Sequence, residues 1–345
     1  MRDTIDLRSD LVSPPTPAMI REITRALEEP PAFDLREDPR QKALEARVSS
    51  LLGKEDALLF PTCTMANQVA IRLLCRAGET LVAEAETHVI TSEAGAPAAL
   101  SGVLVRPLPG REGRVDLQHL EHALTTPTDA LRSRVALVVL ENTHNRAGGV
   151  PLPVEYHADV GDLAKRNDVA IHLDGARLFN ATVAMGCAPV DITRHVTTVA
   201  ISLNKALAAP LGAVLAGPRA LIADALRVRQ MLGGGIRPTG FLAAAGLIAL
   251  DTMVDRLADD HRRAREIGAG LSTLSSRGLD VTASTNIVMV RTERAGVSPR
   301  QLVDALASRG VLALPFGSAI RLVVHHGIKP TDIARVVEAF GMALA

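Results

Sequence analysis

Val-Ala-Ile-His-Leu-Asp-Gly-Ala-Arg at residues 169–177 and Val-Ala-Ile-Ser-Leu-Asn-Lys at residues 199–205 bound the stretch that decides the fold of this chain. Each is a short apolar run, rich in β-branched residues, that stops at a charge: Asp174 in the first, Lys205 in the second. Strands of a parallel α/β sheet are buried on both faces, read as continuous apolar runs, and open at their carboxyl ends onto the ligand crevice. The two runs therefore predict an acid and a lysine delivered to one crevice by two strands.

Strand and helix signals alternate outward from this stretch. Residues 57–60, 80–83, 102–106, 135–140 and 211–216 read as further strands. The last follows its predecessor so closely that an antiparallel edge strand is expected. Helical patterns at 65–75, 117–124, 154–166 and 177–185 fill most of the gaps, which is the signature of a doubly wound sheet with right-handed crossovers. Towards the amino end, residues 5–31 start extended and proline-broken and turn helical from about Ala18, an arm lying over the body rather than a strand pair. Asp38-Pro39 then opens a helix, with Asp as N-cap and Pro in the first turn, that stops at Gly53. Beyond Gly233-Gly234-Gly235 the pattern changes to a long alanine-rich helix at 241–277, strand-like 286–291, a helix at 299–308, strand-like 319–324 and a final helix from Thr331. The expected organisation is an arm at 1–36, a large α/β domain at 37–238 and a small α+β domain at 239–345.

Composition narrows the function classes. The 345 residues carry 38 acidic and 38 basic side chains, a formal net charge of zero, whereas nucleic-acid or anionic-membrane binding needs a basic excess. Trp is absent and Tyr156 is the one tyrosine, so a small polar ligand is expected rather than nucleobases or peptides. Cys63, Cys75 and Cys187 have neither CxxC nor Cys/His spacing, so neither a disulfide framework nor a metal site is implied. No signal-peptide core and no apolar run of membrane-spanning length is read, and a cytoplasmic location is the expectation.

An acid and a lysine at neighbouring strand ends suit pyridoxal phosphate, which needs a lysine to hold it as a Schiff base and an acid to keep its ring nitrogen protonated. Asp174 could equally cap the helix that follows it. Lys205, at the end of an apolar strand, is hard to justify by packing, because buried lysine is costly. Pro61-Thr62-Cys63-Thr64 lies between a strand and a helix, where amides and the helix dipole favour an anion. Thr64 could add a hydroxyl there or serve as a plain N-cap. Arg237, behind the three glycines, could reach a phosphate or sit on the surface; those glycines form no dinucleotide or Walker pattern. His88 and Glu93 follow a strand in a loop entering a helix, and His88 could stack on a ring, handle a proton or simply be exposed.

Taken together these stretches resemble the threonine aldolase family of pyridoxal-phosphate enzymes, within the β-eliminating lyase group of aspartate-aminotransferase-like fold (fold type I). The resemblance rests on Ile5-Asp-Leu-Arg-Ser-Asp10, Glu37-Asp-Pro39, Thr64-Met-Ala-Asn67, Leu100-Ser-Gly-Val103 and Glu141-Asn-Thr-His-Asn145. It continues in His172-Leu-Asp-Gly-Ala-Arg-Leu-Phe-Asn180, Lys205 with Ala209-Pro210, Met231-Leu-Gly-Gly-Gly235 and Ile320-Arg-Leu-Val323. It implies Lys205 as the Schiff-base lysine, Asp174 as partner of the pyridine nitrogen, and Thr64 with the Cys63 amide as part of a phosphate cup. It also implies His88 stacked on the cofactor, Glu93 beside it, and Arg237 reaching the phosphate from a neighbouring subunit of a dimer or tetramer. Ser9, Arg177 and Arg321 are similar to residues that hold a substrate carboxylate, with Arg177 also near the cofactor.

Four departures bear on the substrate. Leu35 and Ser92 stand where the family usually has tyrosines, Cys63 replaces a glycine of the phosphate cup, and Leu131 falls where a histidine is common. If that glycine needs positive φ, Cys63 implies strain or a changed turn. The activity implied is retro-aldol cleavage of a β-hydroxy-α-amino acid to glycine and an aldehyde, with His88 as base and Glu93 in reserve. The missing groups leave room for a substituent larger than methyl, such as aryl. β-Elimination and transaldol exchange share the same entry chemistry and stay open, as does a non-catalytic binding role.

Overall fold

The computed structural model describes residues 4–127, 129 and 131–344. Seven strands form its central sheet: β1 (Asp56–Phe60), β2 (Thr80–Glu84), β3 (Leu104–Leu108), β4 (Val135–Glu141), β5 (Ala170–Gly175), β6 (Thr198–Ser202) and β7 (Ala213–Gly217). Their spatial order is β1-β7-β6-β5-β4-β2-β3. Every neighbouring pair is parallel except the two that β7 makes with β1 and β6.

Period-two alternation assigns the two faces of this sheet. Leu58, Phe60, Ala200, Ala213 and Leu215 point to one apolar cluster, while Ala57, Leu59, Val199, Ile201, Val214 and Ala216 point to the main core on the other side. That is why these strands read as unbroken apolar runs. The helices α1 (Pro17–Glu28) and α2 (Pro39–Leu51) cover the main core, and α3 (Cys63–Leu74) covers the opposite face. Asp38 caps α2 as its sequence predicts, its side chain accepting from the amides of Arg40 and Gln41, with Pro39 in the first turn.

The carboxyl-terminal part builds a four-stranded antiparallel sheet in the order Asp280–Ala283, Ile287–Arg291, Ala319–Val323, Leu314–Phe316. A second core lies under it, formed by residues such as Ile267, Leu271, Ile320, Leu322 and Phe340.

Three expectations are corrected. The strand ending the 211–216 run is antiparallel but interior, fully buried between β1 and β6; β1 takes the edge instead. The amino-terminal arm does pair as a strand: Ile5–Asp6 lies parallel to Val311–Leu312, and Leu7 extends the contact through its amide to Leu312 (2.8 Å) and its carbonyl from Val323 (2.8 Å). The long helix breaks into Gly240–Thr252 and Leu257–Ser272. Its first half packs Ala243, Ala245 and Ala249 into the main core and its second packs Ala264, Ile267 and Leu271 into the small one, so one straight axis cannot serve both.

Candidate active site

Five connections bring side chains to the carboxyl ends of the central strands. β5 delivers Asp174, and its alternation turns Ile171 and Leu173 into the main core while His172 and Asp174 face α3. Gly175 follows because β5 approaches β6 closely there: a Cβ would lie 2.9 Å from the Ala200 carbonyl oxygen and 3.2 Å from Val199. Lys205 lies three residues beyond β6, half-buried, its carbonyl accepting from the Ala208 amide (2.8 Å) and its side-chain amine without a hydrogen-bond or ion-pair partner among the described residues. β4 ends at Glu141 and leads to Asn145; β2 leads to the short helix α4 (His88–Thr91). The connection from β1 opens α3, whose N-cap is Thr62, with its hydroxyl accepting from the Met65 amide (3.2 Å). Thr64 is therefore a first-turn residue rather than the cap, and its hydroxyl has no partner among the described residues. The Cys63 and Thr64 amides precede the first intrahelical bond and point out of the helix start. Cys63 is not among the described non-glycine residues with positive φ, which are Ala94, Glu112, Asp168 and Ala208. Of the two alternatives at Cys63, strain or a changed turn, no positive-φ strain is present, because that residue is the first residue of a regular helix.

The small sheet closes the site from the other side. In Ala319–Val323, Ile320 and Leu322 enter the small core, which turns Arg321 to the opposite face. The arm, seated against that sheet, brings in Ser9 and Asp10. A cavity of about 150 Å³ results, lined by Ser9, His88, Asp174, Arg177, Lys205 and Arg321 among others.

One polar network runs beneath this cavity. Asn67, on α3, donates from Nδ2 to both Asp174 Oδ2 (2.8 Å) and Glu93 Oε1 (2.9 Å). Its Oδ1 can then only accept, so His172 donates from Nε2 (3.0 Å) and Thr198 donates to His172 Nδ1 (2.8 Å). Burial lowers the His172 pKa to about 4, which keeps the ring neutral at pH 7. Glu93 is buried and also receives Gln68 Nε2 (2.6 Å) and His88 Nδ1 (2.9 Å). The hydrogen bond from His88 to Glu93, followed by the charges of Asp174 and Glu141, raises the His88 pKa against its burial. The Glu141 carboxylate accepts from the His88 amide (2.6 Å) and the Asn145 amide (2.8 Å), tying the two loops together. Cys63 Sγ lies 3.8 Å from Asp174 Oδ1; burial and that carboxylate push its thiol pKa well up.

A second network surrounds the arginines. Arg177 meets the buried Asp10 with both arms of its fork, Nε to Oδ2 and Nη2 to Oδ1, each at 2.8 Å. Burial alone would raise the Asp10 pKa, yet Arg177, with Lys205 behind it, holds it at about 2. Arg321 has no acid partner among the described residues. Its Nη1 donates to Asn145 Oδ1 (2.8 Å), its Nη2 to the Arg8 carbonyl (3.3 Å), its Nε is buried without a partner, and it lies over the Phe316 ring at 4.6 Å. Burial and the nearby Arg177 lower its pKa to about 10.

Of the residues singled out from sequence, Ser9, His88, Asp174, Arg177, Lys205 and Arg321 thus share the cavity, with Glu93 and Cys63 in contact with its wall residues. Arg237 is elsewhere: exposed, donating to the Phe33 carbonyl (3.5 Å) and 5.8 Å from that ring. Ser92 is exposed at the end of α4, Leu131 is 94% exposed in a loop, and Leu35 offers its carbonyl to Arg229 (3.3 Å). Sequence reasoning did not single out Asp10, Asn67, Glu141, Asn145 and His172. All five sit inside the quoted motifs, but their partners lie far away in the chain, so only the motif and not the pairing was there to be read.

An open α/β sheet with an acid and a lysine at adjacent strand ends, closed by a small antiparallel sheet that adds an arginine, is the fold-type I architecture of pyridoxal-phosphate enzymes. A model of the family described as Beta-eliminating lyase matches residues 6–295, and the chain belongs to that family. It is 36% identical over 344 residues to the probable low-specificity L-threonine aldolase 2 of Arabidopsis thaliana, spanning 98% of this chain and 96% of that one. It is also 36% identical over 344 residues to the low specificity L-threonine aldolase of Escherichia coli (strain K12), spanning 99% of each. A solved structure of Leishmania major threonine aldolase matches the fold with a TM-score of 0.85 at 19% identity, covering 99% of this chain and 100% of that one.

Proposed function

We propose that this chain is a pyridoxal-phosphate-dependent aldolase that cleaves a β-hydroxy-α-amino acid, threonine or allo-threonine or a bulkier β-substituted serine, to glycine and an aldehyde. One observation carries the reading: a buried arginine, Arg321, opens onto the same cavity as Lys205 and a buried acid, Asp174, and among the described residues neither the guanidinium of Arg321 has an acid partner nor the amine of Lys205 a hydrogen-bond or ion-pair partner. An anionic amino acid and an aldehyde-bearing cofactor answer those two vacant partners together.

The residues fit the cofactor. Lys205 would hold it covalently through its amine, Asp174 would face the ring nitrogen, and the amides of Cys63 and Thr64 with the Thr64 hydroxyl would take the phosphate. Arg237 lies outside the cavity, so a contact with the phosphate would be made in a neighbouring subunit, and a homo-oligomer with shared sites is part of the proposal. The three free cysteines suit a reducing cytoplasm. When bound, pyridoxal phosphate supplies a conjugated ring that takes up the electron pair released from the Cα–Cβ bond.

The chain's own groups do the rest. Arg321, with Ser9 and the second N–H of Arg177 Nη1, whose first goes to Asn145 Oδ1, binds the carboxylate and so fixes which Cα bond stands perpendicular to the ring. His88 donates from Nδ1 to Glu93, which leaves Nε2 to accept the β-hydroxyl proton as the aldehyde departs. Its raised pKa makes it a stronger base and retains the proton for return to the product. Asn67 fixes Glu93 and Asp174 relative to each other, so the proton acceptor and the ring-facing acid move as one unit.

Absorbance spectra and product assays test this. Purified protein supplied with cofactor should absorb near roughly 420 nm, as a lysine-held cofactor does, and Lys205→Ala should lose that band after dialysis. Threonine, allo-threonine and phenylserine should yield aldehyde plus glycine. Keto acid plus ammonia instead would make the protein an eliminating lyase, and no band with supplied cofactor would remove the catalytic reading altogether.

A further inference from the structure

Two guanidiniums converge on a single neutral atom at the rim of the cavity. Asn145 Oδ1 accepts from Arg321 Nη1 at 2.8 Å and from Arg177 Nη1 at 3.3 Å. With N–H donors arriving from both sides, the atom there must be the amide oxygen. The backbone amide of the same residue is held by Glu141 (2.8 Å), whose other oxygen holds the His88 amide (2.6 Å). Asn145 thus stands where the arginine network meets the loop that carries the candidate base.

The charge balance around this atom gives its identity a consequence. Asp10 neutralises Arg177 through a bidentate pair, and Arg321 faces no acid among the described residues. Glu141, the other carboxylate of the rim, is taken up by the His88 and Asn145 amides, so Arg321 is the guanidinium left for the single negative charge of an amino-acid carboxylate. A carboxylate at position 145 could make the same two hydrogen bonds, but it would become the counter-ion of Arg321 and fill the anion site from within. An apolar residue would leave the charge and lose the alignment, letting two like-charged guanidiniums move apart.

We propose that Asn145 is a positioning residue for the substrate carboxylate: it aligns Arg177 and Arg321 into one binding fork while its electrical neutrality leaves that fork able to take an anion. The proposal rests on the amino-acid reading of the site given above.

Amino-acid binding to the cofactor-loaded enzyme, followed by the change in its visible spectrum, tests this without relying on turnover. Glycine serves as the probe, and ethanolamine, which has an amine but no carboxylate, as its control. Asn145→Asp is expected to weaken glycine binding on the order of 100-fold, since a like charge within a few ångströms of the ligand carboxylate is repulsive. It should leave the ethanolamine response within about twofold. Asn145→Ala is expected to weaken glycine binding about tenfold, the effect of one lost charge-assisted alignment, and Asn145→Gln to recover part of that. Glycine binding to Asn145→Asp within twofold of the unmodified enzyme overturns the proposal, as does an equal loss for glycine and ethanolamine, which would mark a general disruption of the site. Unmodified, cofactor-loaded enzyme that shows no spectral response to glycine would instead overturn the amino-acid reading beneath it.

Discussion

The ion pair between Asp10 and Arg177 joins residues 167 positions apart and is buried on both sides, so replacing Asp10 with asparagine probes how the arm is held. The Asp10 pKa is lowered from 3.8 to about 2, a gap worth about 2.5 kcal/mol at roughly 1.4 kcal/mol per unit. Because the folded value lies below the unfolded one, this stabilisation is complete above the unfolded pKa and is lost as pH falls through the folded pKa. At pH 7 Asp10→Asn should therefore be less stable by roughly 2 to 4 kcal/mol, the upper figure including the cost of leaving Arg177 buried without its counter-ion. The difference should shrink with acid, by about 1 kcal/mol at pH 3 and about 2 kcal/mol at pH 2. With no tryptophan in the chain, urea unfolding is best followed by far-ultraviolet circular dichroism at pH 7, 5, 3 and 2. Subtracting the two proteins removes every titration they share. A difference below about 0.5 kcal/mol at pH 7, in the range of ordinary surface substitutions, or one that stays constant down to pH 2, would refute the assignment of this pair as a buried, charge-stabilised joint.

Two further outcomes follow from local geometry. Glu93→Gln removes the carboxylate bonded to His88 Nδ1 (2.9 Å) and should lower the His88 pKa from its raised position. Proton NMR titration of the imidazole reads this directly, and an unchanged midpoint would assign the raised value to Asp174 and Glu141 instead. Glu112 and Gly113 form a two-residue hairpin turn with φ of 54° and 79°. Asparagine favours that conformation far more than glutamate does, so Glu112→Asn should stabilise the protein by about 0.5 kcal/mol. No rise in the thermal midpoint would contradict that reading of the turn.

The apolar runs of β1, β2 and β4 to β7 were readable because a strand buried on both faces has no polar side to obscure it, whereas β3, at the other edge, is largely exposed. For the same reason their order was only partly readable: the run at 211–216 carries an interior strand's composition, but proximity in sequence suggested an edge. In the candidate site, Asp174 and Lys205 stood out as charges ending apolar runs, a local conflict that packing alone does not explain. Arg237 and Thr64 were readable only as residue types near turns suited to a phosphate. The fold places the first on the exposed surface beside Phe33 and the second in the first turn of α3 rather than at its cap.

Sequence by itself determined which strands form the sheet and which charges end them, because side-chain periodicity and the cost of burying an ion are local properties of the chain. Tertiary structure decided who meets whom. The pairing of Asp10 with Arg177, the bridging of Glu93 and Asp174 by Asn67, and the convergence of two arginines on Asn145 each join segments separated by tens to hundreds of residues. Hydrogen bonds of that kind act over about 3 Å, and no local pattern encodes which distant segment will arrive within that range. The arm shows the division most plainly. Its prolines announced an extended segment, but only pairing of Ile5–Asp6 with Val311–Leu312 brought Asp10 into the site that its charge helps to complete.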